Sequence, residues 1–142
     1  MIIYVDAGCS GNPGKTYYRG VDEYGEILFE RLFSYGTNNI GEWLAIATAW
    51  AYLIEKKGGK GTIYSDSKTA LAWWEKRRVS STLPRNSRSN LIFACVGVAV
   101  KYIESHEADF EGDDIKIEWW CTKEKGEIPA DYGLKSNSKY QR

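Results

Sequence analysis

Residues 2–14 read IIYVDAGCSGNPG. The apolar run Ile2–Val5 leads into Asp6, at the position where another apolar residue would continue the pattern. Gly8, Gly11, Pro13 and Gly14 crowd in behind it. β-Branched and aromatic residues predict a buried strand, and the glycines and proline predict a turn. An ionised carboxylate on a buried strand is costly unless it is paired or binds a metal. Taken alone, the stretch is either a strand ending in a turn or a loop that cradles phosphates. The remainder of the chain has to decide.

The 142 residues and their ordinary apolar and charged fractions predict one domain, 1–142, of a water-soluble globular class. The formal net charge is zero, so no global field attracts a polyanion and any nucleic-acid contact must come from a local patch. Cys9, Cys95 and Cys121 are odd in number and lack CxxC spacing, which argues against a zinc site or a disulfide framework. A reducing, cytoplasmic setting fits that usage. MIIYVD has no basic segment followed by a long apolar one, so no signal peptide is expected. No apolar run approaches the ~20 residues of a membrane span. Six Trp and ten Tyr fit a bulky core, although aromatic rings also stack on bases.

Working outward, residues 16–24 and 26–35 read as two strands joined by a hairpin at Gly25. Residues 37–59 are the clearest helix. Leu44, Ala47, Ala51 and Ile54 recur at helical spacing, Lys56 and Lys57 fall in the last turn, and Gly58 follows as a stop. Residues 61–66 form a short buried strand, 67–78 a second helix and 79–89 a loop. Residues 90–106 are a third helix, apolar nearly all round and so expected to be largely buried. Residues 114–121 are a strand, 122–129 a polar loop, and 130–135 open a last helix. Antiparallel strands followed by alternating strands and helices predict a mixed sheet flanked by helices.

Four carboxylates stand out by position: Asp6 ending the first strand, Glu42 opening the first helix, Asp66 directly after the fourth strand, and Asp131 at the start of the last helix. For the last three, capping or favourable interaction with the helix dipole is a plain alternative. Asp6 resists such an explanation. With Asp66 at the end of an adjacent strand and Glu42 on a helix packed across both, the acids would converge and repel, and divalent cations would relieve that repulsion. Oxygen-only ligands select Mg²⁺ or Mn²⁺.

Four ordered motifs, YVDAGCSGNPG, TNNIGEWLAI, IYSDS and IPADYG, resemble those of type 1 ribonuclease H, and the match covers almost the whole chain. The resemblance implies an α/β ribonuclease H-like fold, a five-stranded mixed sheet with helices on both faces. It implies that Asp6, Glu42, Asp66 and Asp131 are catalytic and hold two Mg²⁺ ions, with Mn²⁺ able to substitute. It implies hydrolysis of the RNA strand of RNA–DNA hybrids, leaving 3′-hydroxyl and 5′-phosphate ends. No organic cofactor or membrane is expected, and a monomer is the default.

Reading RNA in a hybrid means contacting 2′-hydroxyls in a wide minor groove. By resemblance, Asn12 and Asn38 match positions that touch that groove. Backbone amides near Gly8 and Cys9 approach the RNA strand, and Thr37 matches a contact to a DNA phosphate. Turn chemistry is the plain alternative for both asparagines. The basic run 76–88 resembles a protrusion that holds the hybrid, with Arg77, Arg78, Arg85 and Arg88 as phosphate contacts. Trp73 and Trp74 fit the core better than a stacking platform. The acidic stretch 104–114 is expected to face away from nucleic acid.

The chain departs from the family at two places. Lys68 stands where the family has a substrate-contacting glutamine. The loop 122–129 lacks the histidine many members carry, leaving Lys123, Glu124, Lys125 and Glu127 as alternatives; the one histidine, His106, reads as a surface residue. Two other readings compete: a resolvase- or transposase-type nuclease of the same fold, and a non-catalytic hybrid-binding module. The GNPG and TNN motifs argue against the first, and the full acid set argues against the second.

Overall fold

The computed structural model describes residues 1–107 and 114–131. Five strands form one sheet: β1 (Ile2–Ser10), β2 (Gly14–Asp22), β3 (Ile27–Gly36), β4 (Gly61–Ser65) and β5 (Ile115–Trp119). Their order is β3-β2-β1-β4-β5, with β1–β2 and β2–β3 antiparallel and β1–β4 and β4–β5 parallel. Helices α1 (Asn38–Lys56), α2 (Lys68–Lys76), α3 (Asn90–His106) and α4 (Thr122–Lys125) complete the described elements. Among the described residues no helix is long and apolar enough to cross a membrane.

Side-chain alternation divides the sheet into two faces. Ile3, Val5 and Ala7 of β1 and Ile63 of β4 are fully buried. They share a core cluster with Ile40, Trp43, Ile46 and Leu53 of α1. Tyr4 and Asp6 therefore point to the opposite face. There Tyr4 and Tyr64, partners in the β1–β4 ladder, both meet the Trp120 ring edge-on. The helix expected from residue 130 onward lies outside the described residues beyond Asp131, as does most of the acidic stretch 104–114.

Local chemistry explains most boundaries. Asp22 accepts from the amides of Tyr24 and Glu26, and Gly25 supplies the positive φ of the β2–β3 turn. Thr37 caps α1 by accepting from the Ile40 amide, and Ser67 caps α2 through the Ala70 amide. The β1–β2 turn needs glycine at 14, because a Cβ there would sit 2.0 Å from the Ser10 carbonyl oxygen.

The structure corrects three expectations. Asp6 does not end its strand: β1 runs on to Ser10 because β2 continues to pair with it through Ser10↔Lys15. The third helix is not largely buried. Only Ile92, Phe93, Val96 and Ile103 are, while Leu91 and Val98 are 58% and 70% exposed. It packs beside α1 and the β3 edge, so its outer face meets solvent. The stretch 122–129 is not wholly loop, because the Cys121 carbonyl accepts from the Glu124 and Lys125 amides and closes one helical turn.

Candidate active site

The parallel ladder between β1 and β4 covers Ile2↔Thr62, Ile3↔Ile63 and Tyr4↔Tyr64, and then stops. Beyond Tyr4, β1 keeps its β2 partner but loses β4. This is also where the chain changes direction across the sheet: β1 leads to β2 and β3 on one side, and β4 leads to β5 on the other. Crevices at such switch points, outside the carboxyl ends of parallel strands, are where open α/β sheets bind ligands. Asp6 lies just past the last shared rung, and Asp66 directly follows β4.

Glu42 reaches the same place from α1. Its Oε1 accepts from the Ala7 amide at 2.9 Å, taking a main-chain donor that a longer β4 would have used. Gly41 permits the approach. A Cβ there would lie 2.9 Å from Thr16 Cγ2 and 3.0 Å from Ala7 Cβ, so α1 can come this close to β1 only with a bare Cα. Glu42 stands beyond the first turn of α1, which contains no acid. The helix-dipole alternative therefore does not account for it. Nor does capping account for Asp66, since Ser67 is the cap.

Asp6, Glu42 and Asp66 each offer a carboxylate oxygen, all within 4.8 Å of one another. Asp6 and Glu42 have no solvent exposure and Asp66 is half-buried. Three carboxylates this close, two of them removed from water, are a high-energy arrangement without cations. The donors are all oxygen, which fits a hard divalent ion such as Mg²⁺ or Mn²⁺ and not zinc.

Asp131 is not one of the three converging acids. It lies in the turn after Ile128, and its side-chain Oδ1 is buried with no hydrogen-bond partner among the described residues. Its backbone is held by Arg19, which donates from Nε to the Ala130 carbonyl and from Nη2 to the Asp131 carbonyl, both at 2.9 Å. Arg19 stands directly opposite Asp6 in the β1–β2 ladder. Composition and motif do not single out Arg19. The signal was present: a tight turn at 11–14 fixes the register, and that register pairs residue 6 with 19.

The expected substrate contacts separate into groups. Asn12 and Thr37 line a polar hollow of about 490 Å³ together with Thr69, Trp73 and Ser80–Pro84. The Asn12 side chain also accepts from the Asn38 amide, tying the turn to the start of α1, and Thr37 is the cap. The Asn38 Oδ1 is buried without a hydrogen-bond partner among the described residues. Gly8 and Cys9 continue β1 toward the turn. The Cys9 thiol contacts the Gly11 carbonyl and Thr16 Oγ1, and burial pushes its pKa up.

Lys68 opens α2 two residues after Asp66, with its ammonium 4.3 Å from the centre of the Trp119 ring. Arg77 has another occupation: it caps α2, pairs with Glu107 and lies over Trp74. Arg78 is exposed. Arg85 and Arg88 stack over Phe93 and Tyr35, each 4.0 Å from the ring centre. Trp73 and Trp74 are buried. Lys123, Glu124, Lys125 and Glu127 are all exposed on or beside α4.

No protein-family model matches the chain. Solved structures do resemble it. LC11-RNase H1, isolated from compost, aligns with a TM-score of 0.55 at 20% identity, covering 87% of this chain and 85% of its own. The chain has the ribonuclease H fold. The N-terminal RNase H domain of a Mycobacterium tuberculosis protein aligns at 0.52 and 20%, covering 84% and 80%. RNase H1 of Halobacterium salinarum aligns at 0.51 and 18%, covering 87% and 86%. Within the ribonuclease H fold of this chain, the three converging acids sit where β1 and β4 part.

Proposed function

We propose that this protein is an endonuclease that hydrolyses the RNA strand of RNA–DNA hybrids. The observation that carries the reading is the convergence of Asp6, Glu42 and Asp66 within 4.8 Å at the strand switch point. The ribonuclease H fold, shared with proteins named as RNases H, supports it. In this reading Asp6, Glu42, Asp66 and Asp131 hold two Mg²⁺ ions, or Mn²⁺ in their place. Such a pair, when bound, supplies an activated water and relief of charge on the leaving oxygen, giving 3′-hydroxyl and 5′-phosphate ends.

The protein's own groups prepare the site. The Ala7 amide fixes one oxygen of Glu42 and so aims the rest of that carboxylate. Asp6, fully buried and on the strand that outlasts β4, is the acid we assign to be shared. The buried Asp131 Oδ1 is an acceptor that a cation would satisfy. The buried Asn38 Oδ1 is similarly suited to a ribose 2′-hydroxyl, and the Gly8 and Cys9 main chain lies along the approach. Hydroxyls of Thr37, Thr69 and Ser80–Thr82 around the polar hollow offer donors to a backbone phosphate. Lys68, Arg77, Arg78, Arg85 and Arg88 form the salt-sensitive contacts, the exposed pair of Arg77 with Glu107 competing with a phosphate for that guanidinium. The enzyme works as a monomer in a reducing, cytoplasmic setting without an organic cofactor.

The test is a Mg²⁺-dependent assay on hybrid, duplex DNA and duplex RNA of one sequence. Cleavage of the RNA strand of the hybrid alone is expected. Cleavage of branched or duplex DNA would favour the resolvase-type reading. Tight hybrid binding without cleavage would favour a binding module. Neutralising Arg85 and Arg88 together is expected to raise KM and flatten the salt dependence of binding, each lost phosphate contact lowering the slope by about 0.9.

A further inference from the structure

We propose that Arg19 is a positioning residue that carries Asp131 to the acidic cluster. The inference rests on the functional reading above and assigns a device for completing the same site.

Arg19 sits in the middle of one row of residues that crosses three adjacent strands. Asp6 faces it from β1, and Glu30 faces it from β3. Directly opposite residues place their side chains on one face, with Cβ atoms about 4.5–5.5 Å apart. Arg19 thus projects from the same face as Asp6, away from α1. All three guanidinium nitrogens have work there. Nη1 lies 3.9 Å from Glu30 Oε2, while Nε and Nη2 donate to two successive carbonyls, Ala130 and Asp131.

Two parallel donors on one rigid plane, meeting two adjacent carbonyls, fix both the position and the rotation of that peptide segment. Arginine can do this and lysine cannot, because an ammonium is a point donor. The fork spans 111 and 112 residues of sequence, so it is a tertiary clamp and not a local turn. It is also the described side-chain link between residues 130–131 and the strand that pairs with Asp6.

What the clamp delivers is a partly buried carboxylate with one oxygen, Oδ1, shut off from water. Asp131 Oδ1 has no hydrogen-bond partner among the described residues, although burying such an oxygen unsatisfied is unfavourable. The cost is understandable if the oxygen awaits a cation shared with the Asp6 side of the site. Glu30 lies on the outer strand of the row, its carboxylate 3.9 Å from Nη1 and so on a different nitrogen from the two donors that hold residues 130–131.

The experiment uses the full chain and the variants Arg19→Lys, Arg19→Gln, Asp131→Asn and the double variant Arg19→Gln/Asp131→Asn. Calorimetric titration with Mn²⁺ alone is read beside hybrid cleavage. Partners of this kind change metal affinity or activity by about 10–100-fold when removed. Arg19→Gln is expected to weaken Mn²⁺ binding and lower kcat within that range, with KM little changed. Arg19→Lys should recover only part of the loss.

The decisive outcome is non-additivity. Once Asp131 is Asn, removing Arg19 should cost nothing further in Mn²⁺ affinity. Full additivity, or an Arg19→Gln variant with wild-type Mn²⁺ affinity, would overturn the proposal. Amide exchange at residues 128–131, expected to accelerate in both Arg19 variants while β1 and β4 stay protected, separates loss of the clamp from general unfolding. If wild-type protein binds Mn²⁺ but cleaves no hybrid, the functional reading fails while the titration and exchange arms still judge Arg19.

Discussion

The two halves of β1 belong to one strand and do opposite things. Up to Val5 the strand is flanked by β2 from Ile3 onward on one side and by β4 from Ile2 to Tyr4 on the other. Ile3 and Val5 are apolar there and fill the core against α1. From Asp6 to Ser10 the strand keeps β2 and loses β4. The amide of Ala7 then turns to a side chain, Glu42, and a carboxylate replaces a hydrophobe at Asp6. This site is made by ending a ladder. One strand outlasts its neighbour, and the freed main-chain donor and the space beside it become places for acids.

The largest effect should come from removing an acid in the second half. Asp66→Asn, and likewise Asp6→Asn, is expected to lower hybrid cleavage by at least about 10²–10³-fold, the scale of one lost electrostatic contact to a transition state. The fold should survive, with a metal-free melting temperature no lower than wild type, because a repulsive charge has gone. Equal melting shifts with and without Mg²⁺ are expected in the variants, whereas wild type should gain stability with the ion. Full cleavage by Asp66→Asn would sink the assignment.

The first half should respond in the opposite sense. Ile3 is fully buried, and Ile3→Ala is expected to cost about 2–5 kcal/mol by denaturant titration. Under conditions where the variant remains folded, its kcat should stay near wild type. A variant that is stable but inactive would mean that the two halves are not separable as described.

Between them stands Gly41, which belongs to neither half but sets the distance from α1 to both. Gly41→Ala adds a Cβ about 3 Å from Thr16 Cγ2 and Ala7 Cβ. Overpacking of this kind costs about 1–3 kcal/mol. Because the helix can relieve the clash only by moving away from β1, the hydrogen bond from Ala7 to Glu42 should lengthen. The Ala7 amide should exchange faster, and half-saturation by Mg²⁺ should shift to higher concentration. An unmoved Ala7 amide signal would show that Glu42 is held by something other than this approach.

Much of the comparison could be read from residue order. An acid interrupting IIYV, another closing TIYSD and a third opening the helix of residues 37–59 single out Asp6, Asp66 and Glu42, which the fold brings within 4.8 Å of one another, and helix 90–106 is bounded as found. What escaped were features set by partners distant in sequence. Whether β1 stops at Asp6 or Ser10 depends on how far β2 pairs, which composition does not record. The exposure of Leu91 and Val98 depends on α3 lying beside α1, although its apolar pattern suggested burial all round. Arg77 looked like one more cation in a basic run, and only the fold brings Glu107 to it. Arg19 was overlooked for the same reason: its importance lies in a register and in carbonyls more than a hundred residues away.

The smallest effect concerns Cys9, near the end of the second half. Its thiol is enclosed by the Gly11 carbonyl, Thr16 Oγ1 and the Gly36 carbonyl. Burial raises its pKa, and the Thr16 hydroxyl offsets part of that rise. In the unfolded chain the thiol ionises at its ordinary value, so above that pH the folded state binds more protons than the unfolded one. Stability then falls with rising pH, from the unfolded thiol value up to the folded one. Cys9→Ser should therefore flatten the alkaline decline in that window while leaving the neutral pH profile of cleavage unchanged. Tyr4, whose phenol is also raised by burial and by Tyr64, keeps a residual slope at higher pH. Denaturant titration across the alkaline range reads this directly. If Cys9→Ser instead altered cleavage at neutral pH, the thiol would have a part in the site that its enclosed position gives no reason to expect.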